Sequence, residues 1–201
     1  MKILNLYAGI GGNRKLWGEQ HEITAVEINP SIANIYKDFF PNDKVIVADA
    51  HQYLLDHYKE FDFIWSSLPC QTHSSFRQNI CVRFRGTKVE YPDMKLYEEI
   101  IFLKNNFNGK WVVENVKPYY EPLIKPDKKL QRHLFWCNFE INDKDFKNEN
   151  IRTSQIKDLE VLHGIDLIKY KLKNKRQILR NCVLPELGKH ILNCLESEEV
   201  C

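Results

Sequence analysis

No apolar run in this chain approaches the roughly eighteen residues that a membrane span requires, so no membrane association is expected. The start lacks the features of a secretory leader. Met1-Lys2-Ile3-Leu4-Asn5-Leu6-Tyr7 has one charge before a short apolar run and reads as a first strand, which makes a cytoplasmic location the expectation. The six cysteines (70, 81, 137, 182, 194 and 201) form no CxxC pair and no His/Cys ligand spacing. Free thiols in a reducing compartment are therefore expected, and no metal. Five of them read as small buried hydrophobes or inert surface thiols, with Cys70 set apart by its context. The net charge of +2 is too small to indicate a polyanionic partner by itself. Internal repeats and low-complexity segments are also missing.

Hydrophobic residues make up 43% and charged residues 28% of the 201 residues, enough for one domain, 1–201, with a substantial core. Apolar runs at Ile3–Tyr7, Ile23–Ile28, Val45–Ala48, Phe61–Leu68 and Trp111–Val116 predict strands. Most are continuously apolar, which suits a parallel sheet covered on both faces. Helices are predicted over 13–18, 31–39, 50–58 and 93–105, with starts marked by Pro30-Ser31 and Pro92-Asp93. This alternation implies an α/β fold with a mostly parallel, doubly wound sheet. After Tyr119 the segment 121–130 is rich in Pro and Lys, 133–139 reads as a strand, and 140–155 is polar. A closing amphipathic helix from Pro185 to about Leu195 sets Leu187, Ile191, Leu192 and Leu195 on one side, and the tail 196–201 is expected to fray.

The first strand runs into Tyr7-Ala8-Gly9-Ile10-Gly11-Gly12-Asn13. Three glycines in four positions permit a tight turn and close backbone approach to a ligand, although such a turn alone is a weak signal. Glu27 ends the second strand, where an acid can hold two ribose hydroxyls, and Asp49 ends the third, where a carboxylate can accept from an adenine amine. Each acid taken singly is as readily a helix cap or a solvated side chain. Acids at successive strand ends favour a cofactor, and the absence of GxGxxG spacing favours a nucleoside without a diphosphate.

The fourth strand stops at Ser66-Ser67-Leu68-Pro69-Cys70-Gln71 and the fifth at Glu114-Asn115-Val116. Both lie where α/β sheets build their sites. A reactive cysteine there needs a positive field or a helix N-terminus to favour its thiolate.

These segments resemble the DNA (cytosine-5) methyltransferase family, in the family's order over nearly the whole chain. Tyr7 through Gly12 resembles the opening motif, with Tyr7 in the usual Phe position; Pro69-Cys70-Gln71 resembles the nucleophile motif and Glu114-Asn115-Val116 the ENV motif. Leu159 through Asp166, and Arg176 through Pro185 with its Asn181-Cys182-Val183-Leu184-Pro185, resemble the closing pair, 156–195, that returns to the cofactor. The resemblance implies an S-adenosylmethionine-dependent methyltransferase (Rossmann-like) fold, S-adenosyl-L-methionine as cofactor and cytosine in DNA as substrate. Cys70 would add to the 6-carbon of cytosine, Glu114 would hold N3 protonated, Asn115 would help to fix it, and Arg132 would supply a cation near the base carbonyl or Cys70. Tyr7, Ala8, Gly9, Ile10, Gly11, Gly12, Glu27, Ile28, Asp49, Ala50, Pro69, Asn181 and Val183 would surround the cofactor. The target base must leave the duplex to reach Cys70.

The match loosens in two places. The family's Gln-x-Arg-x-Arg corresponds here to Gln131-Arg132-His133, and His133 is open between a strand residue and a substitute for the second cation. Residues 137–155, nearly all polar, are too few for a target-recognition domain with its own core and read as a vestige of one. Recognition would then come from loops, from a protein partner or a second copy, or be short, about two to four base pairs. Basic residues flank the site without acids: Arg77, Arg83, Arg85 and Lys88 in 71–89, a loop that in the family closes over DNA, and Lys171, Lys173 and Lys175 in 169–180. With Gln71 and Ser74 they are the expected DNA contacts. The same chemistry on RNA is the nearest alternative, but the Cys-Phe-Thr of the tRNA cytosine methyltransferases is missing. An inactive nucleic-acid-binding relative would have no need to retain Cys70, Glu114 and the Gly turn.

Overall fold

Strands β1 (Lys2–Leu6), β2 (Glu22–Val26), β3 (Lys44–Ile46), β4 (Phe63–Ser67) and β5 (Lys110–Val116) run parallel in the computed structural model, which describes residues 1–146 and 154–198. The hairpin of β6 (Lys128–Leu130) and β7 (His133–Cys137) completes a seven-stranded sheet, β7 antiparallel to both neighbours, in the order β3-β2-β1-β4-β5-β7-β6. The order reverses direction between β1 and β4. A switch point of this kind opens a crevice at the carboxyl edge of the sheet.

Helices cover both faces: α1 (Pro30–Phe39), α2 (Ala50–His57), the short α3 (Arg83–Arg85), α4 (Lys95–Asn106), α5 (Ile156–His163), α6 (Lys175–Asn181) and α7 (Pro185–Glu198). Ile3, Ile23, Phe63, Trp65 and Val112 bury one face against Trp17 and the α7 side chains Leu187, Ile191, Leu192 and Leu195. Leu4, Ile64 and Val113 bury the other against Leu54 of α2 and Leu96, Ile100 and Leu103 of α4. Coverage on two sides is why the strands read as continuous apolar runs. The four α7 residues anticipated on one side are at most 2% exposed, each stabilising by about 1.5–3 kcal/mol.

Local chemistry sets the element starts. Asn29 caps α1, accepting from the Ser31 and Ile32 amides ahead of Pro30, and Asp49 caps α2, accepting from the Gln52 amide. The helix expected over 13–18 is one 3-10 turn, Asn13–Leu16. Gly18 turns left-handed after it, and α7 presses so closely that a Cβ on Gly188 would lie 2.2 Å from the Asn13 carbonyl. Buried in that turn, Arg14 is matched by Asp43 at 2.9 and 3.0 Å, and Tyr36 donates to the same carboxylate at 2.8 Å.

Several expectations need correction. The strand predicted over 61–68 is trimmed at both ends, and Tyr7 lies beyond β1 in the left-handed region, φ 54°. β6 was hidden in the Lys-rich 121–130 because an edge strand needs no apolar alternation, and α5 and α6 were not anticipated. Phe139 and Ile141 are buried in the main core, so 137–146, read as nearly all polar, helps to cover the sheet. Residues 147–153 of that expectation, and 199–201 of the tail, lie outside the described residues. Among the described residues no helix is long and apolar enough to cross a membrane, and no group of His, Cys, Asp and Glu could hold a metal ion.

Candidate active site

Two cavities open at the carboxyl edge of the sheet, and Cys70 lines both. The smaller, about 570 Å³, is lined by Tyr7, Ala8, Gly9, Ile10, Gly12, Glu27, Ile28, Asp49, Ala50, Pro69, Asn181 and Val183. These are the sequence-predicted cofactor residues with one exception. Gly11 is not in the lining: at φ 82°, its Cβ would lie 2.3 Å from Phe40 and 2.9 Å from Tyr36, so it packs closely against the end of α1. Gly9 behaves differently. At φ 57° it has nothing within 4 Å of a Cβ, leaving its backbone open to the cavity. Gly12 is where the closing segment docks, its Cβ position 2.6 Å from the Val183 carbonyl.

Glu27 is held in place by two backbone amides. Its Oε2 accepts from the Gly9 amide at 3.0 Å and its Oε1 from the Asn29 amide at 2.9 Å. Asp49 does double duty at the α2 N-terminus. One oxygen caps the helix at 3.1 Å while Lys95 stands 3.6 Å from the other, and both hold the carboxyl below its ordinary pKa, the Gln52 amide most. The cavity also takes in Ile32, Asp93 and Asn174, and Gln177 and Ile178 of the closing segment 176–185.

At the inner end of this cavity, Glu114 is buried on β5, directly opposite Ser67 of β4. Burial pushes its carboxyl up to about 7, against the opposing pull of the Ser67 hydroxyl and the Arg132 charge. The His133 Nε2 lies 3.6 Å from Glu114, but burial and Arg132 drive the His133 pKa far down. The imidazole is therefore neutral, and the contact is not an ion pair. Burial also pushes the Cys70 thiol up; the Glu114 carboxylate adds to this and Arg132 opposes it. Arg132 reaches both cavities and donates to the Arg180 carbonyl at 2.8 Å. Asn115, expected to help fix the base, is buried beside Glu114 on β5. It is 1% exposed, lines neither cavity and donates to the Leu68 carbonyl at 3.1 Å, holding the approach to Pro69-Cys70.

The larger cleft, about 1210 Å³, is strongly cationic. Arg77, Lys117, Lys129, Arg132, Lys173, Lys175, Arg176 and Arg180 line it, and among the described residues no carboxylate does. Gln71 and Ser74 line it as well. Of the other expected DNA contacts, Arg83, Arg85 and Lys88 lie outside it in and after the exposed α3, and Lys171 is exposed and does not line it. Arg77 is paired with Glu90 at 2.8 Å, an acid just beyond the segment read as acid-free. Lys117 and Lys129 went unrecognised because they come from segments outside the two basic runs.

A model of the C-5 cytosine-specific DNA methylase family matches residues 1–130. No curated protein matches the chain. Among solved structures the chain is similar to a triple mutant of DNMT2 from Spodoptera frugiperda, at 30% identity over 58% of this chain and 35% of that one, with a TM-score of 0.41. It is also similar to an S-adenosylmethionine-dependent methyltransferase of Agrobacterium tumefaciens, at 14% identity over 60% and 40% of the two chains, TM-score 0.40. A methyltransferase of Entamoeba histolytica shares 14% identity over 58% and 38%, TM-score 0.38. The chain thus spans about a third of the length of the insect protein. The family match takes in the glycine turn, Cys70 and Glu114 together, and the chain belongs to the C-5 cytosine-specific DNA methylase family.

Proposed function

We propose that the protein transfers a methyl group from S-adenosyl-L-methionine to the 5-carbon of cytosine in DNA, with Cys70 as the nucleophile. The observation that carries this reading is the position of Cys70 in the wall shared by a nucleoside-sized cavity and a cationic cleft. The donor set fits the cofactor: an anchored carboxylate at Glu27 for ribose hydroxyls, Asp49 for an amine, and an open backbone at Gly9. When bound, S-adenosylmethionine supplies an electrophilic methyl group.

The chain's own groups do the rest. After its thiol proton passes to water, the Cys70 sulfur bonds to the 6-carbon of the flipped cytosine, and the π electron pair of the 5,6 double bond moves toward the 5-carbon and ring. Protonated Glu114 donates to N3 and draws that density. A carboxyl lifted to about 7 can hold this proton near neutrality. Its protonation also removes the negative charge that opposes ionisation of Cys70. Once the 5-carbon carries the methyl group, a base removes its remaining proton, and the returning electron pair breaks the carbon–sulfur bond and frees Cys70. The cationic cleft takes the phosphates on either side of the displaced base.

The test uses labelled S-adenosylmethionine with duplex DNA or tRNA, and DNA carrying 5-fluorocytosine, which cannot lose its 5-substituent. Label should enter DNA, and the fluorinated strand should become covalently attached at Cys70, with no adduct in Cys70→Ser. Label confined to tRNA, or an adduct at another cysteine, would overturn the reading.

A further inference from the structure

We infer that Glu99 is a positioning residue for the cofactor cavity, acting through the hydroxyl of Tyr7. This rests on the functional reading above. Glu99 is 0% exposed in the middle of α4 and lines neither cavity. It nevertheless takes three hydrogen bonds: from the Tyr7 hydroxyl at 2.6 Å, the Ser66 hydroxyl at 2.6 Å and the His51 Nδ1 at 3.0 Å.

A buried carboxyl is costly, and an apolar side chain of similar volume would cover β4 more cheaply. What this carboxyl gains is a tie between four elements. Tyr7 follows β1, Ser66 is the penultimate residue of β4, His51 lies in the first turn of α2, and Glu99 itself is on α4. Each donor either lines the cavity or adjoins a residue that does: Tyr7 itself, Ser67 next to Ser66, and Ala50 next to His51.

Tyr7 makes the tie functional. Its φ of 54° is unfavourable for a residue with a Cβ and persists only where the surroundings over-determine it. That backbone turn delivers the Ala8 amide to the Val26 carbonyl and the Gly9 amide to Glu27. Pinning the Tyr7 hydroxyl therefore sets the turn that presents Glu27 and the open Gly9 backbone. Glu99 also favours a proton on His51.

Tyr7→Phe removes the hydroxyl and nothing else, and Glu99→Gln removes the charge at constant shape. Calorimetry with S-adenosylmethionine should show affinity weakened about tenfold in each, consistent with loss of one hydrogen bond to a charged group. The cofactor KM should rise correspondingly, and kcat at saturating cofactor should fall far less than kcat/KM. Should Glu99→Gln fail to fold, Tyr7→Phe alone decides. If Tyr7→Phe binds the cofactor as the wild type does, even with a lowered Tm, the inference is overturned and the contact is structural. If wild-type protein itself shows no affinity for S-adenosylmethionine, the functional reading is overturned, and this inference with it.

Discussion

Glu114 and Ser67 stand opposite each other on adjacent parallel strands, and the serine hydroxyl, which itself accepts from the Trp65 indole at 2.7 Å, hydrogen-bonds the buried carboxyl. One hydroxyl does not offset the loss of water, and the carboxyl titrates near 7 instead of near its ordinary 4.5. Because the folded-state pKa is the higher, the native state holds a proton that the unfolded chain releases. The contribution to stability is complete below the unfolded value and is lost as pH rises through about 7. Glu114→Gln should abolish this pH dependence and gain up to about 3 kcal/mol over the wild type at pH values above 7. Denaturant titrations at several pH values check this. Methyl transfer by the wild type should decline above the same pKa, as Glu114 loses the proton it donates.

Glu27 holds two amides, so its substitutions separate ligand binding from turn geometry. Glu27→Ala should weaken S-adenosylmethionine about ten- to a hundredfold, the worth of hydrogen bonds to a charged group. Glu27→Gln retains one acceptor for the Gly9 amide and should fall between the two. Calorimetry on folded variants provides the measurement, and an unchanged affinity in Glu27→Ala would place the cofactor elsewhere.

Lys173 lines the cationic cleft and Lys171 does not. Duplex binding measured against salt should have a log–log slope that Lys173→Ala reduces by about 0.9, the contribution of one phosphate contact. Lys171→Ala should leave the slope near its wild-type value. Weakening by Lys173→Ala should be uniform across sequences, because phosphate contacts carry no base information.

The two glycines with positive φ in the first turn should respond in opposite ways. Gly11→Ala drives a methyl group into Phe40 and Tyr36 and forces an unfavourable backbone conformation. It should cost roughly 2–4 kcal/mol of stability. Gly9→Ala meets open space, so its cost should stay near the 1–2 kcal/mol of the left-handed backbone, and its main effect should be on cofactor affinity. Thermal melts with and without cofactor distinguish the two.

The sequence alone determined the sheet and the line of its edge. Runs such as Phe63-Ile64-Trp65 and Trp111-Val112-Val113 are apolar at every position because both faces of those strands are covered, and that pattern needs no partner to be read. It follows that Cys70, Glu27 and Glu114 had to fall at strand ends, whatever the tertiary details. Long-range packing decided the rest. Gly11 and Gly9 are indistinguishable in sequence, and only Phe40, 29 positions further on, makes one a packing residue. Asn115 follows Glu114 in the same motif, yet strand alternation points it at the Leu68 carbonyl and away from the site. In sequence Glu99 is only the second of two adjacent acids within the helix expected over 93–105. Its burial, its three donors and its link to Tyr7 exist only once α4 lies across β4. The cationic cleft likewise gathers Lys117, Lys129 and Arg176 from separate segments, and neighbours in space rather than in sequence set its field.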